Sequence, residues 1–337
     1  MKGDSEMTAQ VKRIALRSKA LIVAFNIYNN YRVKRRFKVG NAESDHGVAH
    51  IAMSLEESLR YIDRSYEIFL RWPGFSPRTF AGKRILEVGT GDNLGLALRF
   101  IAAGAASVVS LDKFYSKRDP EQQRNIYLGL RNLMKGEERA RFDGAVDLTH
   151  GIEFDEKKLR YIYGTGVEEA DKLLGEASFD FIISKGALQD VYDIDSAFAG
   201  MDKLLVPGGL MLHTMDLSDQ GMFSKNGFHP LTFLTIPDSV YRMMSVYSGK
   251  ANRKLTDYYR LKMEEMGYDS NFLVTRIVGE PKELFPHKEK IVRGVDYDEA
   301  KLSLVRDIRP KLLPRYARMT DEELLVSGIY LVAKKRG

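Results

Sequence analysis

The sequence predicts a doubly wound α/β fold, in which helices cover both faces of a mainly parallel sheet. Residues 84–216 alternate short apolar runs, typical of buried strands, with segments of helical character. The first run, residues 84–88, breaks at Gly89 and Gly91 and passes at once into an amphipathic run over residues 93–103. A strand, a glycine turn and a helix in this order allow backbone N–H groups to approach a ligand closely.

Seven strands can be placed along the chain, each a short apolar run bounded by turn residues. The predicted strands are 84–88, 107–111, 159–163, 179–184, 210–214, 272–278 and 328–333. A turn at Pro207-Gly208-Gly209 is predicted to lead into the fifth strand. The chain then divides into an N-terminal helical extension or lid over residues 1–79, a core over 80–217, and insertions with the last strands over 218–337.

The first 40 residues carry the excess of positive charge. They hold ten Lys and Arg against two acidic residues, in a chain whose formal net charge is +6. Residues 8–36 are predicted to be helical, with an apolar patch at 20–28 and a basic cluster at 32–38. One interpretation is an interfacial helix on an anionic membrane. The other is a helix that packs its apolar patch on the domain, with its charges solvated.

The composition excludes several kinds of site. The 337 residues include no cysteine, so disulfides, thiolate metal sites and cysteine nucleophiles are excluded. No apolar run reaches the roughly 20 residues of a membrane-spanning helix, and a cytoplasmic location, with the inner face of the membrane as the alternative, fits. His46 and His50 lie four residues apart, but without a third ligand they do not predict a metal site. They are interpreted instead as lining a pocket or facing solvent. Because the basic residues are concentrated in the N-terminal arm, nucleic acid is disfavoured as a partner.

Two acidic residues lie close to the predicted ligand-binding turn. Glu87 is inside the end of the first strand, where a negative charge opposes a nucleotide phosphate and favours a cationic or hydroxyl-rich ligand. Asp112 follows the second strand, at the distance from Gly89 where a carboxylate can accept hydrogen bonds from a ribose. A carboxylate that only caps the following turn is the alternative for Asp112.

Four motifs in a fixed order give the core a family resemblance. They are Glu87-Val88-Gly89-Thr90-Gly91, Asp112, Phe179-Asp180-Phe181-Ile182-Ile183-Ser184 and Leu205-Val206-Pro207-Gly208-Gly209. Over residues 80–217 the chain resembles the class I S-adenosylmethionine-dependent methyltransferases. The resemblance implies a Rossmann-like seven-stranded sheet with an antiparallel last strand. The N-terminal helices and the long insertion after the fifth strand are similar to bacterial enzymes that methylate sugars or other small molecules, often from polysaccharide gene clusters.

The resemblance implies S-adenosylmethionine as the cofactor and assigns residues to it. The two glycines would approach its amino-acid part, Glu87 its ammonium group, and Asp112 its ribose. Residues 166–168 would contact the adenine, and residues 184–185 would lie beside the sulfonium. The implied cofactor-binding residues are Glu87, Gly89, Thr90, Gly91, Asp112, Gly166, Val167, Glu168, Ser184 and Lys185.

The acceptor side of the site is less well defined by the sequence. Transfer to a hydroxyl requires a base, and the candidates are Asp190, Asp216 and His229. Many relatives carry a Glu-His pair where this chain has Gln189-Asp190, and similar sugar-cluster enzymes often carry histidine where it has Gln220. His213, inside the fifth strand, is interpreted as a structural residue.

The predicted activity is O-methylation of a hydroxyl on a small-molecule or glycan-type acceptor, without a metal. The Asn/Asp-Pro-Pro-aromatic motif of amino-directed nucleic-acid methyltransferases is absent, because residues 184–187 read Ser-Lys-Gly-Ala. N-methylation of a small amine is the first alternative. A nucleotide-binding Rossmann protein for NAD or a nucleotide sugar, without methyl transfer, is the second.

Overall fold

The computed structural model describes residues 18–40, 43–44, 47–280 and 282–337. Its centre is a seven-stranded sheet. The strands are β1 Arg84–Val88, β2 Ser107–Asp112, β3 Leu159–Tyr163, β4 Phe179–Lys185, β5 Leu205–Asp216, β6 Asp269–Ile277 and β7 Val326–Lys334. Their spatial order is β6-β7-β5-β4-β1-β2-β3.

The direction of the strands confirms the predicted fold. Strands β1 to β5 pair in parallel, whereas β7 runs antiparallel to both β5 and β6. This is the seven-stranded sheet with an antiparallel last strand that the sequence resemblance implies. Each of the seven predicted strands is present, and β5 alone differs by more than three residues at one end.

Strand β5 corrects the prediction of a turn at residues 207–209. The strand begins at Leu205, so Pro207-Gly208-Gly209 lies inside it. Phe179 of β4 pairs with Leu205, but Phe181 pairs with Leu210, so the register shifts here. Three extra residues on β5 therefore form a bulge. A bulge and a turn look alike in a sequence, because glycine and proline mark both of them.

Helices cover both faces of the sheet. The longer ones are α1 Lys19–Lys38, α2 Leu55–Arg71, α3 Gly95–Ala102, α4 Pro120–Leu133, α5 Gly136–Asp143, α6 Ile194–Leu204, α7 Asp238–Ser245, α8 Thr256–Glu265 and α9 Glu299–Ile308. Shorter helices are Asp171–Leu174, Pro314–Ala317 and Asp321–Leu325. Helix α7 was not predicted, since its eight residues lie in a stretch that otherwise reads as an aromatic and polar loop.

The core has two apolar layers separated by the sheet. Leu86 of β1 belongs to the same buried cluster as Phe198 of α6. Its neighbour Ile85 points to the opposite face and belongs to the cluster of Phe100 in α3. Because successive side chains of a strand alternate between faces, both faces of β1 must be covered. The sheet is therefore doubly wound, as predicted.

Helix α1 packs on the domain through one of its faces. Residues 8–17 of the helix that was predicted over residues 8–36 lie outside the described residues. The buried side chain of Asn30 donates to Met243 O at 2.8 Å and accepts from Tyr247 N at 2.7 Å, which fixes α1 against α7. In the described part of the chain, no helix is long and apolar enough to cross a membrane.

Candidate active site

A cavity of about 820 Å³ opens at the carboxyl ends of β1, β2 and β4. Its walls come from three parts of the chain. The glycine turn and the loops after β2, β3 and β4 form the base. One wall consists of Val33, Phe37, residues 47–50 and Tyr61, and it is completed by Val246, Tyr247 and Gly249. The carboxyl edge of a doubly wound sheet is where such folds bind their ligands.

The glycine turn brings two other segments into close contact. Gly89 and Gly91 have φ of +78° and +71°, a conformation that L side chains rarely adopt. A Cβ at Gly89 would lie 2.3 Å from Cβ of Ala187, and one at Gly91 would lie 2.7 Å from Gly47 O. These glycines therefore allow the β4 loop and the N-terminal segment to close over the turn.

Gly91→Ala is expected to destabilise the protein more than the matched variant Gly82→Ala. Gly82 also has a positive φ, +70°, but its Cβ would meet open space. Both variants incur backbone strain of about 1 kcal/mol, whereas Gly91→Ala adds a clash with Gly47 worth about 1–3 kcal/mol. Urea unfolding of the two variants measures the difference. Equal free energies of unfolding would contradict the close approach of residue 47.

Asp112 lies at the end of β2 and lines the cavity. One carboxylate oxygen accepts a hydrogen bond from Phe114 N at 3.1 Å, and the other accepts from Gly91 N at 3.2 Å. Burial raises the pKa of Asp112, and these backbone hydrogen bonds oppose the rise. Each oxygen keeps a second lone pair, so the carboxylate can still accept two hydrogen bonds from a ligand.

Glu87 lies beneath the glycine turn and does not line the cavity. Its side chain is buried and accepts a hydrogen bond from Ser110 Oγ at 2.8 Å. Burial raises the pKa of Glu87 to about 7, while Ser110 and the charge of Arg118 act in the opposite direction. Any contact between Glu87 and a ligand would therefore be indirect.

The loop after β3 forms a further part of the cavity wall. Gly166, Val167 and Glu168 all line it, as does Phe114. The carboxylate of Glu168 is paired with Lys113 Nζ at 2.8 Å. The lining here combines apolar groups with a fixed carboxylate, which suits a planar ring that carries hydrogen-bonding groups.

Ser184 and Lys185, at the end of β4, were both expected beside the cofactor, but only Lys185 faces the cavity. Ser184 is fully buried and its Oγ lies 2.8 Å from His213 Nδ1, so its side chain is inside the core. Lys185 lines the cavity, with its ammonium 3.9 Å from the centre of the Tyr61 ring. Successive strand residues point to opposite sides, which is why only one of the pair reaches the cavity.

Asp190 is the one base candidate that lines the cavity. It ends a short 3₁₀ turn, Leu188–Asp190, in the loop after β4. Burial raises the pKa of Asp190 to about 7; the hydrogen bond from Gln220 and the charge of Lys250 oppose the rise. A carboxylate with a pKa near 7 can accept a proton at neutral pH and release it again.

The other candidate bases are held elsewhere. Asp216 is bonded to Arg276 Nη1 at 3.3 Å and to Ser218 N at 2.9 Å. Both ring nitrogens of His229 are occupied, one by Leu304 O at 2.8 Å and the other by Leu231 N at 3.1 Å. Neither residue lines the cavity, so the site described here uses neither of them.

His213 is buried within β5, in agreement with its interpretation as a structural residue. Burial alone lowers its pKa to about 3, so the imidazole is neutral at physiological pH.

The N-terminal segment contributes His50, for which the sequence allowed a place in a pocket, and Tyr61, which the sequence did not single out; His46 lies outside the described residues. His50 and Tyr61 line the cavity, with ring centres 5.3 Å apart in an edge-on arrangement. Asp92 accepts from His50 N at 2.9 Å and from Ile51 N at 3.3 Å, which attaches this segment to the glycine turn. In the sequence, the position of Asp92 directly after the glycine motif was the only feature that could have indicated this contact.

Two buried polar atoms on the cavity wall have no hydrogen-bond partner among the described residues. They are Thr90 Oγ1 and His50 Nδ1. Buried polar atoms without a hydrogen-bond partner are uncommon in proteins. At a cavity wall they indicate groups that can form a hydrogen bond with a ligand. Within the described ranges, no group of three or more His, Asp and Glu side chains is placed to hold a metal ion.

No protein-family model matches the sequence, and no curated protein matches it. Solved structures with a similar fold include a phosphoethanolamine N-methyltransferase 2 from Haemonchus contortus, with 15% identity, a TM-score of 0.43 and coverage of 83% of this chain and 56% of that one. An S-adenosylmethionine-dependent methyltransferase from Mesorhizobium loti has 16% identity, a TM-score of 0.38 and coverage of 81% and 100%. An O-methyltransferase family protein from Burkholderia thailandensis has 9% identity, a TM-score of 0.39 and coverage of 84% and 58%.

With TM-scores of 0.38 to 0.43, none of these similarities is evidence for what this chain binds or modifies. This chain spans only 56% of the length of the phosphoethanolamine N-methyltransferase. The fold is established by the chain's own sheet, whose seven strands and single antiparallel strand match the prediction.

Proposed function

We propose that this chain transfers a methyl group from S-adenosylmethionine to a hydroxyl of a small-molecule or glycan-type acceptor. One observation carries the proposal: a single cavity brings together the glycine turn, the carboxylate of Asp112 and the carboxyl of Asp190. The first two suit an adenosyl cofactor with an amino-acid tail, and the third suits an acceptor that must lose a proton.

The charges around the turn support a cationic cofactor. Glu87, Asp92 and Asp112 all lie at or beneath the glycine turn. S-adenosylmethionine carries a sulfonium and an ammonium, which the cavity-lining carboxylates of Asp92 and Asp112 would stabilise, whereas a pyrophosphate would be repelled. Thr90 Oγ1 adds a buried polar atom that a ligand can satisfy.

The start of α3 disfavours the alternative of NAD or a nucleotide sugar. A pyrophosphate binds free backbone N–H groups at a helix N-terminus. Here Leu94 N already donates to Tyr127 Oη at 3.0 Å, and Gly95 N donates to Asn93 Oδ1 at 2.6 Å. These two donors are therefore not free to bind phosphate.

The chemistry asked of the protein is limited. Bound S-adenosylmethionine supplies an electrophilic methyl group, so this chain has to position the acceptor and remove its proton. Asp190, whose carboxylate lines the cavity, would accept that proton from a hydroxyl acceptor. A small amine, which loses its proton more readily, stays the alternative acceptor.

Calorimetry of the full chain tests the cofactor. We expect binding of S-adenosylmethionine and S-adenosylhomocysteine, and no binding of NADH or uridine diphosphate glucose. Protein that unfolds cooperatively, and is thus folded, but binds neither sulfur compound would overturn the proposal. Binding of NADH instead would establish the alternative of a dinucleotide protein.

We also propose that α1 contacts an anionic membrane surface. Leu21, Phe25 and Tyr28 follow one face of the helix and are 49%, 51% and 63% exposed. Arg32 and Arg35, four and seven residues after Tyr28 and both exposed, continue that face toward the end of the helix. Exposed apolar side chains next to a basic cluster are the combination that binds anionic interfaces.

Vesicle flotation tests this contact. Full-length protein is expected to float with vesicles of phosphatidylcholine and phosphatidylserine and much less with phosphatidylcholine alone. Phe25→Ser should reduce flotation, whereas the control Leu261→Ser, at a residue 65% exposed on α8, should not. Equal flotation of the two variants would exclude the α1 face as the contact.

A further inference from the structure

The insertion between β5 and β6 holds the loop that carries Asp190. Asn252 donates its backbone N–H to Gln189 O at 2.7 Å. Its side-chain amide donates to Leu188 O at 3.0 Å and to Val191 O at 3.1 Å. These three hydrogen bonds fix the backbone on both sides of Asp190, so the position of this residue depends on the insertion.

The carboxylate itself receives one hydrogen bond. Gln220 Nε2 donates to Asp190 Oδ1 at 2.6 Å, and no other donor among the described residues reaches this carboxylate. The second oxygen is therefore available to a group in the cavity that Asp190 lines. An amide can donate here but cannot take up a proton, so it leaves Asp190 as the group that titrates.

Gln220 occupies a strained backbone position. Its φ is +50°, in the left-handed region where a residue other than glycine or asparagine is uncommon. Its N–H donates to Ser218 Oγ at 3.1 Å. Strain of this kind persists only where the surroundings impose it, and it is concentrated at functional sites.

The buried carboxylate of Asp219 imposes that conformation. It accepts hydrogen bonds from Gly221 N at 2.9 Å, Phe223 N at 2.7 Å and Ser224 N at 2.7 Å, and from Ser224 Oγ at 2.6 Å. The turn after β5 is thus held as a rigid unit. Its geometry aims the side chain of Gln220 at Asp190 rather than into the cavity.

We infer that Gln220 is the positioning residue for the base, fixing one oxygen of Asp190 so that the other faces the acceptor. This inference rests on the proposed function for the role of Asp190, but the contact itself does not depend on it. A hydrogen bond from a neutral amide also stabilises the carboxylate over the carboxylic acid. Loss of Gln220 should therefore make Asp190 harder to ionise.

Other charged and polar groups also face Asp190. Lys250 favours the carboxylate form of Asp190, and the negative charge of Asp216 disfavours it. The hydroxyls of Tyr241 and Tyr259 lie within its electrostatic reach. Variants at residue 220 leave all four groups in place, so a change in the titration of Asp190 reports the lost hydrogen bond.

The test is a direct titration of Asp190 by carbon-13 NMR. Protein labelled at the aspartate carboxyl carbons gives a signal for Asp190, identified by its loss in Asp190→Asn. The wild-type midpoint is expected near pH 7. Gln220→Leu should raise it by about one pH unit, the equivalent of one hydrogen bond to a charged group.

Two further variants separate positioning from folding. Gln220→Gly removes the amide and relieves the positive φ, so it should give the same upward shift with a melting temperature no lower than that of the wild type. Asn226→Ala removes another amide of the same loop, bonded to Met222 O, and should leave the midpoint unchanged. An unchanged midpoint in both Gln220 variants would overturn the inference.

Calorimetry distinguishes failure of the inference from failure of the proposed function. Because Gln220 does not line the cavity, Gln220→Gly should bind S-adenosylhomocysteine as the wild type does. Binding by the wild type together with an unchanged midpoint in the variants would reject only the positioning role. Absence of binding by the wild type would reject the proposed methyl transfer, whatever the titration shows.

Discussion

Asp112→Ala is expected to weaken the binding of S-adenosylhomocysteine by about 100-fold. The carboxylate has one free lone pair on each oxygen after its bonds to Gly91 N and Phe114 N. Two hydrogen bonds from ribose hydroxyls to a charged acceptor are worth roughly 1.5–3 kcal/mol each, and the lower end of that range, about 3 kcal/mol for both, corresponds to a little more than 100-fold. Titration calorimetry of both proteins at one pH measures the ratio of the dissociation constants.

The substitution also removes two backbone anchors, so it needs a control for that loss. Asp147→Ala provides one, since Asp147 accepts from Thr149 N at 2.8 Å in an exposed turn outside the cavity. Asp112→Asn keeps one acceptor oxygen and should lie between the alanine variant and the wild type. If Asp112→Ala binds as tightly as Asp147→Ala, the residue only caps its turn.

Glu87→Gln is expected to stabilise the unliganded protein above pH 7. Burial raises the pKa of Glu87 from 4.5 to about 7, so the folded state holds a proton that the unfolded state releases between these values. Stability therefore falls as pH rises through this window, by about 3 kcal/mol in total. Glutamine cannot ionise, and it still has an oxygen to accept the hydrogen bond from Ser110 Oγ.

The measurement is the difference in the free energy of unfolding between variant and wild type, followed against pH. Near pH 5 the folded wild type carries a neutral Glu87, so the difference should be small. By pH 8 the variant should be more stable by about 2–3 kcal/mol, less the cost of its unpaired amide. Contributions from other groups cancel, including that of His213, whose lowered pKa acts with the opposite sign. A difference that is flat with pH would contradict the burial of an ionisable Glu87.

The parts of the fold that depend on local periodicity could be predicted from the sequence. Buried strands such as β1 consist of short apolar runs bounded by turn residues, and the predicted bounds of β1 agree with the structure. The bulge in β5 could not be predicted, because Pro207-Gly208-Gly209 has the composition of a turn. Only the pairing of both ends of the strand with β4 shows that the strand continues.

The positions of individual site residues could be predicted from the sequence where a residue lies at or just beyond the end of a predicted strand. Asp112 is the last residue of β2 and Asp190 lies in the loop after β4, and parallel strands present these ends at one edge of the sheet. The contacts between distant segments were not predictable, since no spacing relates Asp190 to Gln220 or Asp92 to His50. The roles assigned to the cavity residues stay predictions until binding is measured.

The attachment of the N-terminal segment to the glycine turn has a consequence for the rate of the reaction. Residues 47–50 line the cavity and are bonded to Asp92, so a ligand in the cavity and the docked segment stabilise each other by the same free energy. In the proposed methyltransferase, a tightly bound cofactor would therefore slow the release of its own spent form. Detachment of residues 47–50 from Asp92 would then be expected to set the upper limit on turnover.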